Sequence, residues 1–144
     1  MITIEELEEK DVEAVSAIEA RAFSMPWSAK DFLQMINDKN ALYLTAKNDG
    51  IPIACCGVRN ILGDGEITNV VVDEPYRGKG IGSRMLSELL QKGKQMGIEV
   101  FTLEVRKSNE AAISLYEKAG FITEGIRKNF YEKPVEDGLI MWKR

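Results

Sequence analysis

The chain has 144 residues, of which 44% are hydrophobic and 29% charged, and its formal net charge is −4. This length predicts one domain with its own core, and the composition is that of an ordinary globular protein. The small negative charge argues against a general nucleic-acid binder, and no apolar run is long enough to span a membrane. The acidic N-terminus, MITIEELEEKD, does not resemble a basic signal peptide. We therefore expect a single cytoplasmic domain over residues 1–144, without direct nucleic-acid or membrane partners.

Histidine is absent, and the two cysteines are the neighbours Cys55 and Cys56. Without histidine, Ser–His and Cys–His nucleophile pairs and every His-containing zinc site are excluded. Neighbours on a strand point to opposite faces, so we predict two buried strand cysteines without a disulfide. No metal site is expected.

The first half of the chain is predicted to contain a strand, two helices and a hairpin. Asp11 can cap the first helix, Pro26 breaks the helical pattern, and Ser28 can cap the second helix. Gly50 can supply the turn of the hairpin in Asn-Asp-Gly. The predicted elements are a strand at 2–7, helices at 12–22 and 29–36, and strands at 41–47 and 51–59.

The second half is predicted to alternate between strands and helices. Its elements are a strand at 66–72, a helix at 80–96, a strand at 100–105, a helix at 109–119, and closing strands at 123–126 and 139–142. The complete order is β-α-α-β-β-β-α-β-α-β-β. The strand–helix–strand crossover in the middle requires a parallel pair of strands. The predicted fold class is therefore α/β, with helices on both faces of one mixed, mostly antiparallel sheet.

A glycine-rich turn, RGKGIG at 77–82, joins a strand to a helix. It exposes backbone N–H groups at the positive end of the helix dipole, and Arg77, Lys79 and Arg84 add positive charge. This favours binding of a phosphate or pyrophosphate, although such a turn alone is more often only a turn. Its spacing differs from the Walker pattern, and Ser83 stands where the dinucleotide fingerprint has its third glycine.

The turn does match Arg-x-x-Gly-x-Gly after VVVDEPY, and here the chain resembles the GCN5-related N-acetyltransferases (GNATs). The resemblance covers essentially the whole chain, including the element order. In that family the motif holds the pyrophosphate of acetyl-coenzyme A, and the strand before it pairs with the pantetheine arm. The resemblance thus implies acetyl-coenzyme A as acetyl donor. The residues implied to bind it are Val70, Val71, Val72, Arg77, Gly78, Lys79, Gly80, Ile81, Gly82, Ser83 and Asn109.

Two further stretches narrow the resemblance. They are FTLEVRKSNEAAISLYEKAGF at 101–121 and AFSMPWS at 22–28. Both are similar to the bacterial ribosomal-protein-alanine N-acetyltransferases, the RimI group, and IRKNFY at 126–131 agrees with this. That group acetylates the α-amine of a small-subunit ribosomal protein. The resemblance therefore implies a protein N-terminus as acceptor, and a small-subunit ribosomal protein with an N-terminal alanine as partner.

Acetyl transfer from a thioester needs no protein nucleophile, because the amine itself attacks. It requires a proton acceptor for the amine and a proton donor for the thiolate. Strand alternation alone would make Glu104 a solvated surface residue, and helical spacing alone would make Tyr116 a core aromatic. The resemblance instead assigns Glu104 as the proton acceptor, acting through water, and Tyr116 as the acid.

The remaining candidate residues have two interpretations each. Asn109 can be the N-cap of its helix, a coenzyme ligand, or both. The resemblance implies an acceptor groove lined by Pro26, Trp27, Asn69 and Tyr131. Trp27 could equally cover the core between two helices. Glu66 and Asn69 could either face the substrate amine or be ordinary surface residues.

Two other functions stay open at this stage. The glycine turn recognises only the coenzyme, so the same fold could acetylate a lysine side chain or a small amine such as a polyamine or an antibiotic. A sensor that binds acyl-coenzyme A without turnover is less consistent with the presence of both Glu104 and Tyr116. The pKa of an α-amine is ~8 and that of a lysine side chain is ~10.4. An N-terminal amine therefore loses its proton to a weaker base than a lysine does.

Overall fold

A computed structural model describes residues 1–144 and contains one seven-stranded sheet flanked by four helices. The strands are β1 Ile2–Glu6, β2 Ala41–Asn48, β3 Ile51–Ile61, β4 Asp64–Val72, β5 Val100–Arg106, β6 Ile122–Tyr131 and β7 Glu136–Lys143. The helices are α1 Val12–Ala22, α2 Ala29–Ile36, α3 Ile81–Gln95 and α4 Glu110–Lys118. None of them has both the length and the apolar character that crossing a membrane requires.

The strands lie in the order β1-β2-β3-β4-β5-β7-β6, and every neighbouring pair is antiparallel except β4 and β5. The parallel pair is the one joined by the crossover through α3. The predicted fold class and element order are therefore confirmed.

The sheet divides the core into two parts, one on each face. Cys56 belongs to the larger part, beneath α3, and Cys55 to the smaller part, beneath α1 and α2. Both thiols are free and fully buried, as predicted. Burial raises the pKa of each thiol above its ordinary value, so neither is a reactive thiolate near neutral pH.

Local hydrogen bonds explain where α2 and α4 begin. The Ser28 hydroxyl accepts from the backbone N–H of Asp31 at 3.2 Å, and Asn109 Oδ1 accepts from the N–H of Ala112 at 3.1 Å. Both residues are the N-caps that the sequence predicted. Asp11 precedes α1, but its side chain does not cap that helix. It lies buried and forms an ion pair with Lys47 at 3.1 Å.

The last two strands are longer than predicted. The register of β6 against β7 shifts at two places, between Thr123 and Gly125 and between Arg127 and Tyr131. The alternation of polar and apolar residues is therefore not regular along these strands. Asn129, within the second shift, has φ of 53°, which interrupts the strand alternation. A period-two pattern could therefore not be followed through this segment.

Candidate active site

A cleft opens where the two parallel strands separate. β4 and β5 pair only as far as Glu66 and Thr102, and the cleft beyond has a volume of about 550 Å³. Its walls come from α1 and the segment after it, from β4 and β5, from α4, and from the connection between β6 and β7. This size is that of a small-molecule site.

One wall of the cleft is the unpaired edge of β4. The N–H of Asp73 donates to Ile53 O on β3 at 2.9 Å, so this residue directs its backbone N–H toward β3. Backbone direction alternates along a strand, so Val71 also faces β3, whereas Val70 and Val72 face away from it. The backbone groups of Val70 and Val72 are thus directed to the side where a ligand can replace a neighbouring strand.

The glycine turn follows directly after this edge. Gly78 and Gly80 have φ of 77° and 79°, in the left-handed region that favours glycine. A Cβ at either position would meet no atom within 4 Å, so the space above the turn is open. Gly80 is the N-cap of α3, and the first N–H groups of this helix have no partner within it. The turn therefore offers an anion site with room for a phosphate group.

Arg77 fixes the position of this turn. Its Nε donates to the carbonyl oxygen of Val72 at 2.8 Å, which ties the turn to the end of β4. Lys79 Nζ lies 5.9 Å from the centre of the Tyr76 ring. The side chain of Ile81 is buried in the core, which leaves only its backbone N–H available to a ligand.

Glu104 lies on β5 at the side of the cleft. Its Oε1 is 3.2 Å from Nε of Arg127 on β6, and its Oε2 is buried without a hydrogen-bond partner. Burial raises the pKa of Glu104, Arg127 opposes the rise, and the Glu66 carboxylate adds to it. A partly buried carboxylate with one unoccupied oxygen and a raised pKa is suited to accept a proton.

Two tyrosines approach the same cleft. Tyr116 lies on α4, where its ring packs edge-on against Phe121 with centroids 6.0 Å apart. Burial raises the pKa of Tyr116 above its ordinary value, so its phenol is protonated at neutral pH. Tyr131 stands at the end of β6, and burial raises its pKa to about 12. Both phenols are therefore available as hydrogen-bond donors.

Arg106 holds Tyr131 and the connection after it. Its guanidinium lies 4.6 Å from the centre of the Tyr131 ring and donates to the carbonyl oxygens of Glu132 and Pro134 at 2.8 and 3.0 Å. It also pairs with Glu136 at 3.2 Å. The last strands are thereby fixed against β5, next to Glu104.

Comparison with known proteins is consistent with this geometry. The model of the Acetyltransferase (GNAT) family matches residues 12–121. The chain belongs to this family. As a GNAT it is an acetyl-coenzyme A-dependent N-acetyltransferase, which confirms the predicted enzyme class and acetyl donor.

Individual GNATs are similar over nearly their whole length. The ribosomal protein bS18-alanine N-acetyltransferase of Escherichia coli K12 is 36% identical over 138 residues, which are 96% of this chain and 91% of that protein. The protein of the same name from Salmonella typhimurium LT2 is 36% identical over 144 residues, covering 98% of this chain and 96% of its own. The crystal structure of the ribosomal-protein-S18-alanine N-acetyltransferase from Escherichia coli superposes with a TM-score of 0.91 at 35% identity, covering 99% of this chain and 93% of that one.

Most of the coenzyme residues expected for a GNAT lie on one path from the cleft to the glycine turn. Val70 and Asn109 line the cleft, and Val72 leads from it to the turn. Val71 does not belong to this path, because its side chain is packed under α1 and α2 and its backbone faces β3. Ser83 lies beyond the turn in a separate depression that Lys118 and Lys143 also line.

The expected acceptor residues are only partly brought together in this GNAT. Trp27, Asn69 and Tyr131 line the cleft, whereas Pro26 is exposed and lies outside it. Trp27 also packs against the core, because its ring centroid lies 5.3 Å from that of Phe32. Glu66 is exposed and outside the cleft wall.

Sequence reasoning did not identify two charged residues at the site, Glu19 and Arg127. Glu19, on α1, is 4% exposed and lines the cleft, and Asn69 Nδ2 donates to it at 3.2 Å. The one sequence signal was a glutamate directly after Ile18 on the apolar side of a helix. Arg127 lies in the IRKNFY stretch, but nothing in the sequence indicated its pairing, because its partner Glu104 is distant in the sequence.

Proposed function

We propose that this GNAT acetylates the N-terminal α-amine of a protein, and that its acceptor is the N-terminal alanine of ribosomal protein bS18. The observation that carries the proposal is the position of Glu104 and Tyr116 in one cleft that Trp27 and Tyr131 also line. An extended N-terminus can enter between these aromatic side chains and present its amine to Glu104. The name and near-equal length of the 36% identical relatives support the same acceptor.

The coenzyme would be held by its pyrophosphate and its arm. The open turn at Gly78 and Gly80, with the free N–H groups of α3, fits the pyrophosphate. The backbone of Val70 and Val72 can pair with the amides of the pantetheine arm. The thioester then reaches the part of the cleft that Glu104 and Tyr116 line.

The reaction is a direct attack of the amine. Glu104 accepts a proton from the amine through water, and the nitrogen lone pair forms a bond with the thioester carbonyl carbon. When the tetrahedral intermediate collapses, the C–S bond breaks and the sulfur takes the proton of the Tyr116 phenol. The products are the acetylated amine and the coenzyme thiol. Solvent then removes a proton from Glu104 and restores that of Tyr116.

The reaction does not need an acyl-enzyme intermediate, and the protein has no suitable nucleophile to form one. Both cysteines are fully buried, and burial raises their pKa values. The chain also has no histidine that could activate a serine. The acceptor amine is therefore the nucleophile that attacks the thioester directly.

The proposal is tested with one pair of peptides, acetyl-coenzyme A and mass spectrometry. One peptide begins with a free alanine and contains an internal lysine, and the other is identical but N-acetylated. We expect an acetyl group only on the free peptide, at its α-amine. Acetylation of lysine in both peptides would replace the proposed acceptor with a side-chain amine. A protein that binds the coenzyme but modifies no amine would instead be a sensor.

Replacing Arg127 with Gln is expected to move the acidic limb of the pH–activity profile to higher pH. The guanidinium favours the ionised form of Glu104, and Glu104 must be ionised to accept a proton. Without it the pKa of Glu104 rises further, so activity is lost mainly below neutral pH and recovers above it. The measurement is kcat/KM for the acceptor as a function of pH. Lys128→Gln, on the same strand, is the matched control, and an unshifted limb would contradict the assignment.

A further inference from the structure

Glu19 has a buried oxygen, Oε2, to which no protein group donates a hydrogen bond of normal length and angle. The side chain is 4% exposed, and it lines the cleft that contains Glu104 and Tyr116. Its Oε1 accepts a hydrogen bond from Asn69 Nδ2 at 3.2 Å, whereas its Oε2 has no hydrogen-bond partner. A buried carboxylate oxygen without a donor is unfavourable, so its presence beside a binding cleft points to a donor on the ligand.

A chain of hydrogen bonds holds the carboxylate from behind. Asn69 Oδ1 accepts from the hydroxyl of Tyr43 at 3.3 Å, and that hydroxyl is also hydrogen-bonded to Thr68. Tyr43 packs in turn against Phe32 and Trp27, with ring centroids 6.3 and 6.0 Å away. The orientation of Glu19 is thus fixed by packed groups on β2, β4 and α2, and only its second oxygen is left for a ligand.

We propose that Glu19 Oε2 accepts a hydrogen bond from the first peptide N–H of the acceptor, which joins its first and second residues. This inference rests on the proposed function, because an N-terminal acceptor carries that N–H next to its reacting amine. In a lysine side chain the whole aliphatic stem separates the amine from the nearest peptide N–H. An acceptor without this N–H leaves Glu19 Oε2 without a donor when it binds. The cost of that unsatisfied oxygen discriminates strongly against such an acceptor.

The peptide N–H is a better partner for Glu19 than the amine itself. A carboxylate that held the amine would stabilise its ammonium form and oppose attack on the thioester. The proton of the amine is accepted by Glu104, whose own Oε2 also has no hydrogen-bond partner. Burial raises the pKa of Glu19 to about 7, and the backbone N–H of Trp27 and the side chain of Asn69 oppose the rise. The carboxylate is therefore ionised at the mildly alkaline pH where the α-amine becomes neutral. Hydrogen bonds to an ionised oxygen are the stronger ones.

The test is a double-mutant cycle between the enzyme and its acceptor. The enzyme change is Glu19→Gln, which keeps the shape of the side chain but replaces one acceptor oxygen by an amide donor. The acceptor change is a depsipeptide, in which an ester oxygen replaces the first peptide N–H of an alanine-starting peptide. We expect each change alone to raise the acceptor KM roughly ten- to a hundredfold, with little change in the KM for acetyl-coenzyme A. Combined, they should cost little more than either one alone.

Several controls separate this contact from a structural role. Glu13→Gln removes the same charge from an exposed position on the same helix and should leave both KM values unchanged. If Glu19 only supported the fold, Glu19→Gln would lower Tm and weaken coenzyme binding. The increases in acceptor KM caused by the enzyme change and by the ester would then multiply. That outcome would overturn the inference. So would a wild-type enzyme that uses the ester and the peptide equally well, a result that does not depend on any variant folding.

The inference and the proposed function fail in different ways. If the wild-type enzyme modifies lysine and not the α-amine, the proposed function fails, and the inference fails with it. If it modifies the α-amine but tolerates the ester, only the role of Glu19 is overturned.

Discussion

Glu104→Gln is expected to lower kcat by about a hundred- to ten-thousandfold at neutral pH, the usual contribution of a general base. The amide retains the shape of the side chain but cannot accept a proton from the attacking amine. Coenzyme binding should persist, because the glycine turn and the β4 edge are made of other residues. The KM for acetyl-coenzyme A should therefore remain close to that of the wild type.

The measurement is thiol release at saturating concentrations of both substrates, accompanied by direct titration of the coenzyme. Glu124→Gln is a suitable control, since Glu124 is exposed on β6 and paired with Arg144 at 2.6 Å, away from the cleft. The acidic limb of the pH–activity profile should disappear in Glu104→Gln and persist in the control. Unchanged turnover with intact coenzyme binding would rule out Glu104 as the base.

The sequence predicted the layers of the fold because each strand and helix carries its own periodic pattern. Alternation and turn residues located β2, β3 and β5, and the crossover rule required β4 and β5 to be parallel. Cys55 and Cys56 show this well, since neighbouring strand positions had to enter the two opposite parts of the core. Such features depend only on local periodicity and chain connectivity.

Pairs of residues that are distant in the sequence could not be predicted in the same way. Lys47 is charged, yet it is 3% exposed, and its ammonium group pairs with the buried Asp11 at 3.1 Å. Asp11 consequently has the position of a helix cap but not its hydrogen bond. The Arg127–Glu104 pair is a further example. A single sequence contains no information on which charges approach one another after folding.

Part of the candidate site was nevertheless accessible from motifs. Asn109 caps the short helix that carries Tyr116, and the glycine turn is a continuous segment, so spacing alone places the groups within each of these segments. Glu19 lies on α1, outside the motifs although close to the AFSMPWS stretch, and its role depends on an oxygen that lacks a partner in the folded chain. Hydrogen-bond satisfaction is a property of the three-dimensional structure, and no sequence pattern reports it.

Tyr116→Phe is the second substitution expected to have a large effect, a fall in kcat of roughly a hundredfold or more. The coenzyme thiol resembles a cysteine thiol, with a pKa near ~8.5, so at neutral pH its thiolate must be protonated as it leaves. Phenylalanine keeps the edge-on packing against Phe121 but has no proton to give. Tm should therefore change little, and neither substrate should bind appreciably less well.

Tyr131→Phe provides the matched comparison, because it removes a second phenol from the same cleft. Tyr131 is proposed to contact the acceptor and not the leaving sulfur, so its loss should raise the acceptor KM about fivefold and leave kcat nearly unchanged. Steady-state kinetics with both substrates varied separates the two effects. If Tyr116→Phe also changed only KM, its phenol would be a binding group, and the thiolate would take its proton from solvent. A selective fall in kcat for Tyr116→Phe alone would identify that phenol as the acid, because both variants lose the same hydroxyl and differ only in its position.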